Sequence, residues 1–294
     1  MQSLWMLLAS FFFAGMGAAI KGSLEYGVSL PIVIFFRGLP SVICIAIWAM
    51  LTKNTLATQY PVAHLKRNVL GTTSMWFSFY ALGQLPLATS TSLGYTSSLF
   101  IGLYVVFFSS QFHKDYPKLI AILLGFWGIV LVLKPSISEG QWFGAGAGML
   151  AGLFSAFAMF QVKSLGKLGE PVWRTVFYFS CMVIFSGLVM MDYHELFQLS
   201  WQAYGLLVLA GLLGQFGQLA MTEAYGHGSA VIAAVLQYST IIFSTILGMV
   251  FWNNVPDIIA WVGMATIIIA GILVVVIDQK LWLSEHIFKR TRSK

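Results

Sequence analysis

The chain has 294 residues, of which 59% are hydrophobic and only 9% charged, and its mean hydropathy is +0.84. Soluble domains carry roughly 25% charged residues, so a soluble globular fold is excluded. The net charge of +6 sits in gaps between apolar runs and in the C-terminal tail, which is how membrane topology is encoded and not how a nucleic-acid surface is built.

A helix needs about 20 mostly apolar residues to cross the bilayer core. Ten such runs follow in order, at 3–21, 30–51, 67–84, 88–110, 117–134, 142–162, 172–191, 202–222, 229–251 and 257–277. The first lacks a basic leader, since Met1-Gln2-Ser3 is uncharged, and its apolar stretch exceeds the usual signal-peptide core. Gln84-Leu85-Pro86 separates the third run from the fourth, because proline lacks a donor and disfavours helix at the preceding residue. Gly226-His227-Gly228-Ser229 separates the eighth from the ninth. The runs are continuous and not alternating, so they read as helices and not as barrel strands.

Many positions recur at one offset. Tyr95-Thr96-Ser97 faces Tyr238-Ser239-Thr240, Phe100 faces Phe243, Gln111 faces Asn254, and Gly128-Ile129 faces Gly271-Ile272. Nearer the N-terminus the offset slips by one, pairing Ala9-Ser10-Phe11-Phe12 with Ala151-Gly152-Leu153-Phe154 and Lys21 with Lys163. The expected architecture is an all-α membrane protein of ten transmembrane helices in two five-helix repeats, 1–137 and 138–280, followed by a basic tail at 281–294. An odd number of spans per repeat inverts the second against the first, the arrangement that supports alternating access.

With both termini inside, the cytoplasmic segments and adjoining span ends hold Lys53, Lys66, Arg67, Lys114, Lys118, Lys163, Lys167, Arg174, Lys280, Lys289, Arg290, Arg292 and Lys294. The other side holds only Lys21 and Lys134. That asymmetry predicts cytoplasmic termini, and the tail reads as an anchor on an anionic leaflet.

Order and spacing resemble the drug/metabolite transporter superfamily, and within it the EamA-type bacterial transporters. The residues that carry the resemblance are Pro31 with Phe35-Phe36-Arg37; Tyr80-Ala81-Leu82 with Ala88, Tyr95 and Phe107-Phe108; and Gly128-Ile129-Val130-Leu131 before Lys134-Pro135. They recur as Glu223-Ala224-Tyr225, Ala230, Tyr238, Phe251 and Gly271. The family often carries a glutamate at the end of the fourth and ninth helices; here Gln111 and Asn254 stand in those positions, shape retained and charge lost. The resemblance implies a secondary transporter of a small polar organic metabolite, such as an amino acid or related compound, in the bacterial inner membrane.

Ionisable groups inside a span cost roughly 2.5–3.5 kcal/mol on insertion scales. Arg37 is the clearest instance. It reads either as a contact for a carboxylate or phosphate, which a planar guanidinium suits, or as a scaffold arginine bonding helix carbonyls. Lys21 and Lys163 end the first helix of each half, as cavity-mouth charges or as snorkelling lysines. Gln215 and Gln218 share a helix face, either lining a cavity or bonding between helices. Trp76, Tyr80, Tyr95 and Tyr238 complete the expected substrate-binding set, with an interfacial belt as the alternative for the aromatics.

Metal, cofactor and nucleic-acid roles find no motif: Cys44 and Cys181 lie in apolar runs, the histidines lie in or near loops, and no Walker or GxGxxG sequence follows a strand. The expected partners are a small-molecule substrate and the lipid bilayer, with a coupling proton or counter-substrate left open and a monomer or homodimer as the assembly. Two other classes stay open, an intramembrane lipid-modifying enzyme and a non-transporting membrane scaffold. Reporter fusions after Lys53 and after Lys280 are expected both to report cytoplasm; one reporting the far side overturns the span count and the inversion together.

Overall fold

The computed structural model describes residues 2–85, 93–108, 112–133, 140–253 and 255–292. Every regular element among them is helical. A 3-10 turn at Gln2–Leu4 leads into α1 (Trp5–Glu25). There follow α2 (Leu30–Leu51), α3 (Pro61–Gln84), α4 (Thr96–Phe108), α5 (Phe112–Leu133), α6 (Trp142–Lys167), α7 (Val172–Met190), α8 (Trp201–His227), α9 (Ala230–Leu236), α10 (Ser239–Trp252) and α11 (Ile258–Arg292). Six described stretches are long and apolar enough to cross a membrane: Gln2–Glu25, Leu30–Leu51, Trp142–Lys167, Val172–Met190, Trp201–His227 and Ala230–Trp252. Shorter apolar helices lie at Tyr116–Val132 and Ile258–Val274. The protein is a membrane-embedded, multi-pass helical bundle. Gln111, Asn254 and the Lys134-Pro135 pair lie outside the described residues.

Several helices begin where the local chemistry places them. Pro31 stands in the first turn of α2 and Pro61 opens α3, where a missing N–H would have had no partner anyway. The third helix therefore starts six residues before the apolar run at 67–84 does. Ser200 caps α8 by accepting from the Ala203 N–H, as an N-cap serine does. The fourth expected run is interrupted at Tyr95, and the ninth at Gln237-Tyr238 between α9 and α10. Both interruptions fall on the same pair of residues at the 143-residue offset.

Lipid tails are as apolar as leucine, so helices here associate by close packing and internal polar contacts and not by escape from water. The chief pairings are α3 with α6, α1 with α8, α5 with α11 and α2 with α7; α1 also packs on α10, and α6 on α4. Small residues bring the pairs together. An added Cβ at Gly38 on α2 would lie 2.7 Å from Ile184 Cγ1 and 2.9 Å from the Ser180 carbonyl on α7. On α6, Gly144 and Gly148 pack against Gln84, Leu85 and Leu93, while Gly146 faces open space. The GxxxG spacing is thus a packing stripe.

Pro40 lies inside α2 and cannot donate to the carbonyl of Phe36, four residues back. Gly211 of α8 packs its backbone against that carbonyl and the Pro40 ring. A Cβ at Gly211 would meet Pro40 Cγ at 2.6 Å, and the ring has no rotamer by which to retreat. Gly211→Ala is expected to destabilise by about 1–3 kcal/mol, the usual range for overpacking, while Gly17→Ala, with nothing within 4 Å, is near neutral. Thermal unfolding of the two purified variants checks the contrast.

Candidate functional site

The interior of the bundle holds two arginines. Arg37 projects from α2, and its Nη1 lies 3.7 Å from the Met75 sulfur on α3. It lines a small pocket with Ser41, Phe179, Ser180, Gly214 and Gln218. Arg67, from the second turn of α3, is 1% exposed and is among the largest fully buried side chains. Its guanidinium carbon lies 3.6 Å from the centroid of the Phe179 ring, and that of Arg37 lies 5.9 Å from the same centroid. Gly71 makes the room: a Cβ there would fall 2.9 Å from Arg67 Nη1 and 3.1 Å from the Phe179 ring edge.

The sequence had placed Arg67 among the cytoplasmic topology charges beside Lys66. The structure separates the two neighbours: Lys66 is exposed and Arg67 is buried, because successive helix residues point about 100° apart. A signal was present. His64, Arg67, Asn68, Gly71 and Thr72 form a stripe at helical spacing, the inward face of α3, and His64, Arg67, Asn68 and Thr72 are all buried.

A larger cavity of about 910 Å³ lies between α3, α6 and α7, lined by Thr72, Thr73, Trp76, Phe77, Tyr80, Trp142, Phe143, Leu150 and Met182 among others. Two of the expected site residues, Trp76 and Tyr80, face it. Gln218 joins Arg37 in the small pocket, and Gln215 is buried three residues before it on α8. Gln215 Oε1 and Gln218 Nε2 have no hydrogen-bond partner.

The remaining expected residues are placed elsewhere. The rings of Tyr95 and Tyr238 meet edge-on with centroids 6.2 Å apart. They belong to the packed core around the two helix interruptions and not to either cavity. Lys21 lies over the Trp252 ring at 4.2 Å, and that indole donates to Glu25. Lys163 donates to the carbonyl of Gly228. Neither lysine reaches Arg37.

At the end of the bundle nearest Arg67, a polar cluster ties the α2–α3 loop to the start of α7. His64 pairs with Glu170 at 3.0 Å, both nearly fully buried, and Arg174 reaches the same carboxylate oxygen at 3.1 Å. Arg174 also donates to the Thr55 carbonyl, and the Tyr178 hydroxyl to that of Leu56. Burial opposes the charged form of Glu170, but hydrogen bonds from His64, Thr58 and Arg174, with the Arg174 charge, outweigh it and hold the carboxyl below its usual range. The histidine expected near a loop is thus hydrogen-bonded to a buried carboxylate.

Residues 142–277 match the EamA-like transporter family. The pseudopaline exporter CntI of Pseudomonas aeruginosa is 29% identical over 270 residues, covering 90% of this chain and 93% of its own. The S-adenosylmethionine uptake transporter of Rickettsia conorii is 23% identical over 80% of this chain and 78% of its own. Human solute carrier family 35 member G1 is 26% identical over 70% of this chain and 59% of its own. A protein of known crystal structure superposes with a TM-score of 0.78 over 95% of this chain and 98% of its own, at 17% identity, a likeness of fold alone. The chain therefore carries an EamA-like transporter domain, and relatives of drug/metabolite transporter type match across most of its length.

A carboxylate with a depressed pKa lends stability above its unfolded value, and that stability is lost as pH falls through the folded one. The cluster at Glu170 is expected to hold from neutral pH down to about pH 4.3, the ordinary glutamate value, and to loosen below it. Glu170→Gln should melt lower than the parent at pH 7, and the gap should close in acid. Melting temperature against pH for the two proteins reads both effects.

Proposed function

We propose that this EamA-like transporter exports a small polar organic metabolite carrying an anionic group, an amino acid or related compound, across the bacterial inner membrane by alternating access. The observation that carries the reading is Arg37. Its guanidinium lies inside an apolar bundle with no carboxylate partner among the described residues, beside Ser41, Ser180 and Gln218. A charge in that setting needs a counter-ion, and a planar guanidinium binds a carboxylate through two parallel hydrogen bonds. The neighbouring hydroxyls and amide supply further polar contacts, while Trp76 and Tyr80 line the separate, larger cavity.

The helix pairings support two inverted halves. The α3–α6 pairing is the counterpart of α8–α1, and α4–α6 of α10–α1, while α2–α7 and α5–α11 pair with themselves under the exchange. Interrupted helices at equivalent positions are a recurring feature of inverted-repeat transporters. In this reading the Glu170 cluster closes the cytoplasmic end, and the 910 Å³ cavity belongs to a state open elsewhere. The exporter relative, matched over 90% of the chain, supports the outward direction. Nothing in this scheme calls for a cofactor or a catalytic residue.

Arg37→Lys keeps the charge but loses the fork, and Arg37→Ala loses both. Each is expected to weaken substrate affinity by about tenfold or more, as losing a charge-assisted hydrogen bond of about 1.5–3 kcal/mol requires. Flux in proteoliposomes and affinity on monodisperse protein are the measurements. Folded variants that bind with unchanged affinity would assign Arg37 to the scaffold.

A further inference from the structure

Arg67 is the charge the bundle does not explain. It is 1% exposed, yet its Nε and Nη1 have no hydrogen-bond partner. Stacking on Phe179 offsets part of the cost, since a desolvated cation is attracted to the face of an aromatic ring. Stacking uses the face of the guanidinium, however, and leaves the in-plane Nε and Nη1 donors unanswered. The acids with described side chains are engaged elsewhere, with Trp252, His64, Arg174, His227 or backbone amides. Nor does the repeat call for it: at the 143-residue offset Arg67 faces Ala210, and Arg37 faces Ser180.

We propose that Arg67 and Arg37 together form a site for two anionic groups on one molecule, so that the substrate is a compound bearing two carboxylates. This rests on the reading of Arg37 given above and extends it. The two guanidinium carbons lie 3.6 and 5.9 Å from one ring centroid; the pocket at Arg37 holds only about 10 Å³ and Arg67 does not line it, so a dianion enters between them only when the helices around Phe179 part. One carboxylate meets the fork of Arg37, and the second meets the unanswered donors of Arg67. Phe179 sets the distance between them and walls the site with an apolar face against which the carbon chain lies. Like charges held this near each other repel in a low-dielectric interior, and a divalent anion relieves that repulsion where a monovalent one relieves half.

The test uses the full-length protein, purified in lipid nanodiscs, with glutarate and butyrate as probes at matched ionic strength. The parent should bind glutarate at least tenfold more tightly than butyrate. Arg67→Met removes a buried, unpaired charge while keeping much of the volume. The empty variant should therefore melt higher than the parent, lose the glutarate preference to within twofold, and still bind butyrate through Arg37. Arg67→Lys, which keeps the charge but not the fork, should fold like the parent and show a reduced preference.

A lower melting temperature for empty Arg67→Met, or its failure to fold, would show that Arg67 holds the bundle together and would overturn the proposal. So would a parent that binds the two probes equally well; that outcome leaves the single-anion reading of Arg37 standing. A parent that binds neither probe and transports neither in proteoliposomes overturns both readings.

Discussion

In hydrocarbon, every backbone donor and acceptor must find a partner within the protein, and this bundle breaks helices in its interior. Where the chain turns at Tyr95 and at Gln237-Tyr238, carbonyls lose their partners one turn on. Hydroxyl side chains bond to carbonyls there, two from the turns themselves and two from other helices. The Ser98 hydroxyl donates to Ala234 O at 2.9 Å, Thr96 to Leu93 O at 2.5 Å and Thr240 to Gln237 O at 2.8 Å, while Ser10 of α1 reaches Leu236 O at 3.4 Å. The bonds from Ser98 and Ser10 cross between helices on either side of residue 137, so the interruptions also link the two parts of the chain. Gly152 of α6 packs against Leu93, Thr96 and Ser97, and Ser10, its partner in the repeat, packs against the second interruption.

The same constraint sets where polar side chains fall. Near Arg37 the helix ladder is already short of one donor because of Pro40, and the backbone of Gly211 closes over the freed carbonyl. Further along, the polar face of α3 runs from the Glu170 cluster through His64, Arg67, Asn68 and Thr72 to the cavity beside Trp76 and Tyr80. One helix face thus leads from a tightly bonded end of the bundle to an open one. Such a gradient is what a carrier needs if one end is to open while the other stays shut.

Class was legible from composition, and helical character from the continuity of the apolar runs, since a barrel would need alternating ones. Arg37 was legible as well, since apolar runs flank it on both sides. Arg67 was not. It stands beside Lys66 at the edge of a span, where a basic residue ordinarily marks topology, and only the angular position around α3 separates the exposed lysine from the buried arginine. Glu170 was hidden for a related reason, lying in a short connection that hydropathy treats as loop; its role is set by His64, more than a hundred residues away. Lys21 and Lys163 show the converse. They read as cavity-mouth charges or as snorkelling lysines, and spacing alone does not name their contacts, the Trp252 ring for one and the Gly228 carbonyl for the other. Tyr95 and Tyr238 did converge, but on each other, and nothing in their sequence context distinguishes a ring that packs from a ring that lines a cavity.

Phe179 belongs to α7, whereas the two guanidinium groups it supports come from α2 and α3. The ring is therefore where three helices meet around two cations. An anion held there as proposed would touch α2, α3 and α7 at once. Any shift of α7 against the other two would then change the site and its occupant together.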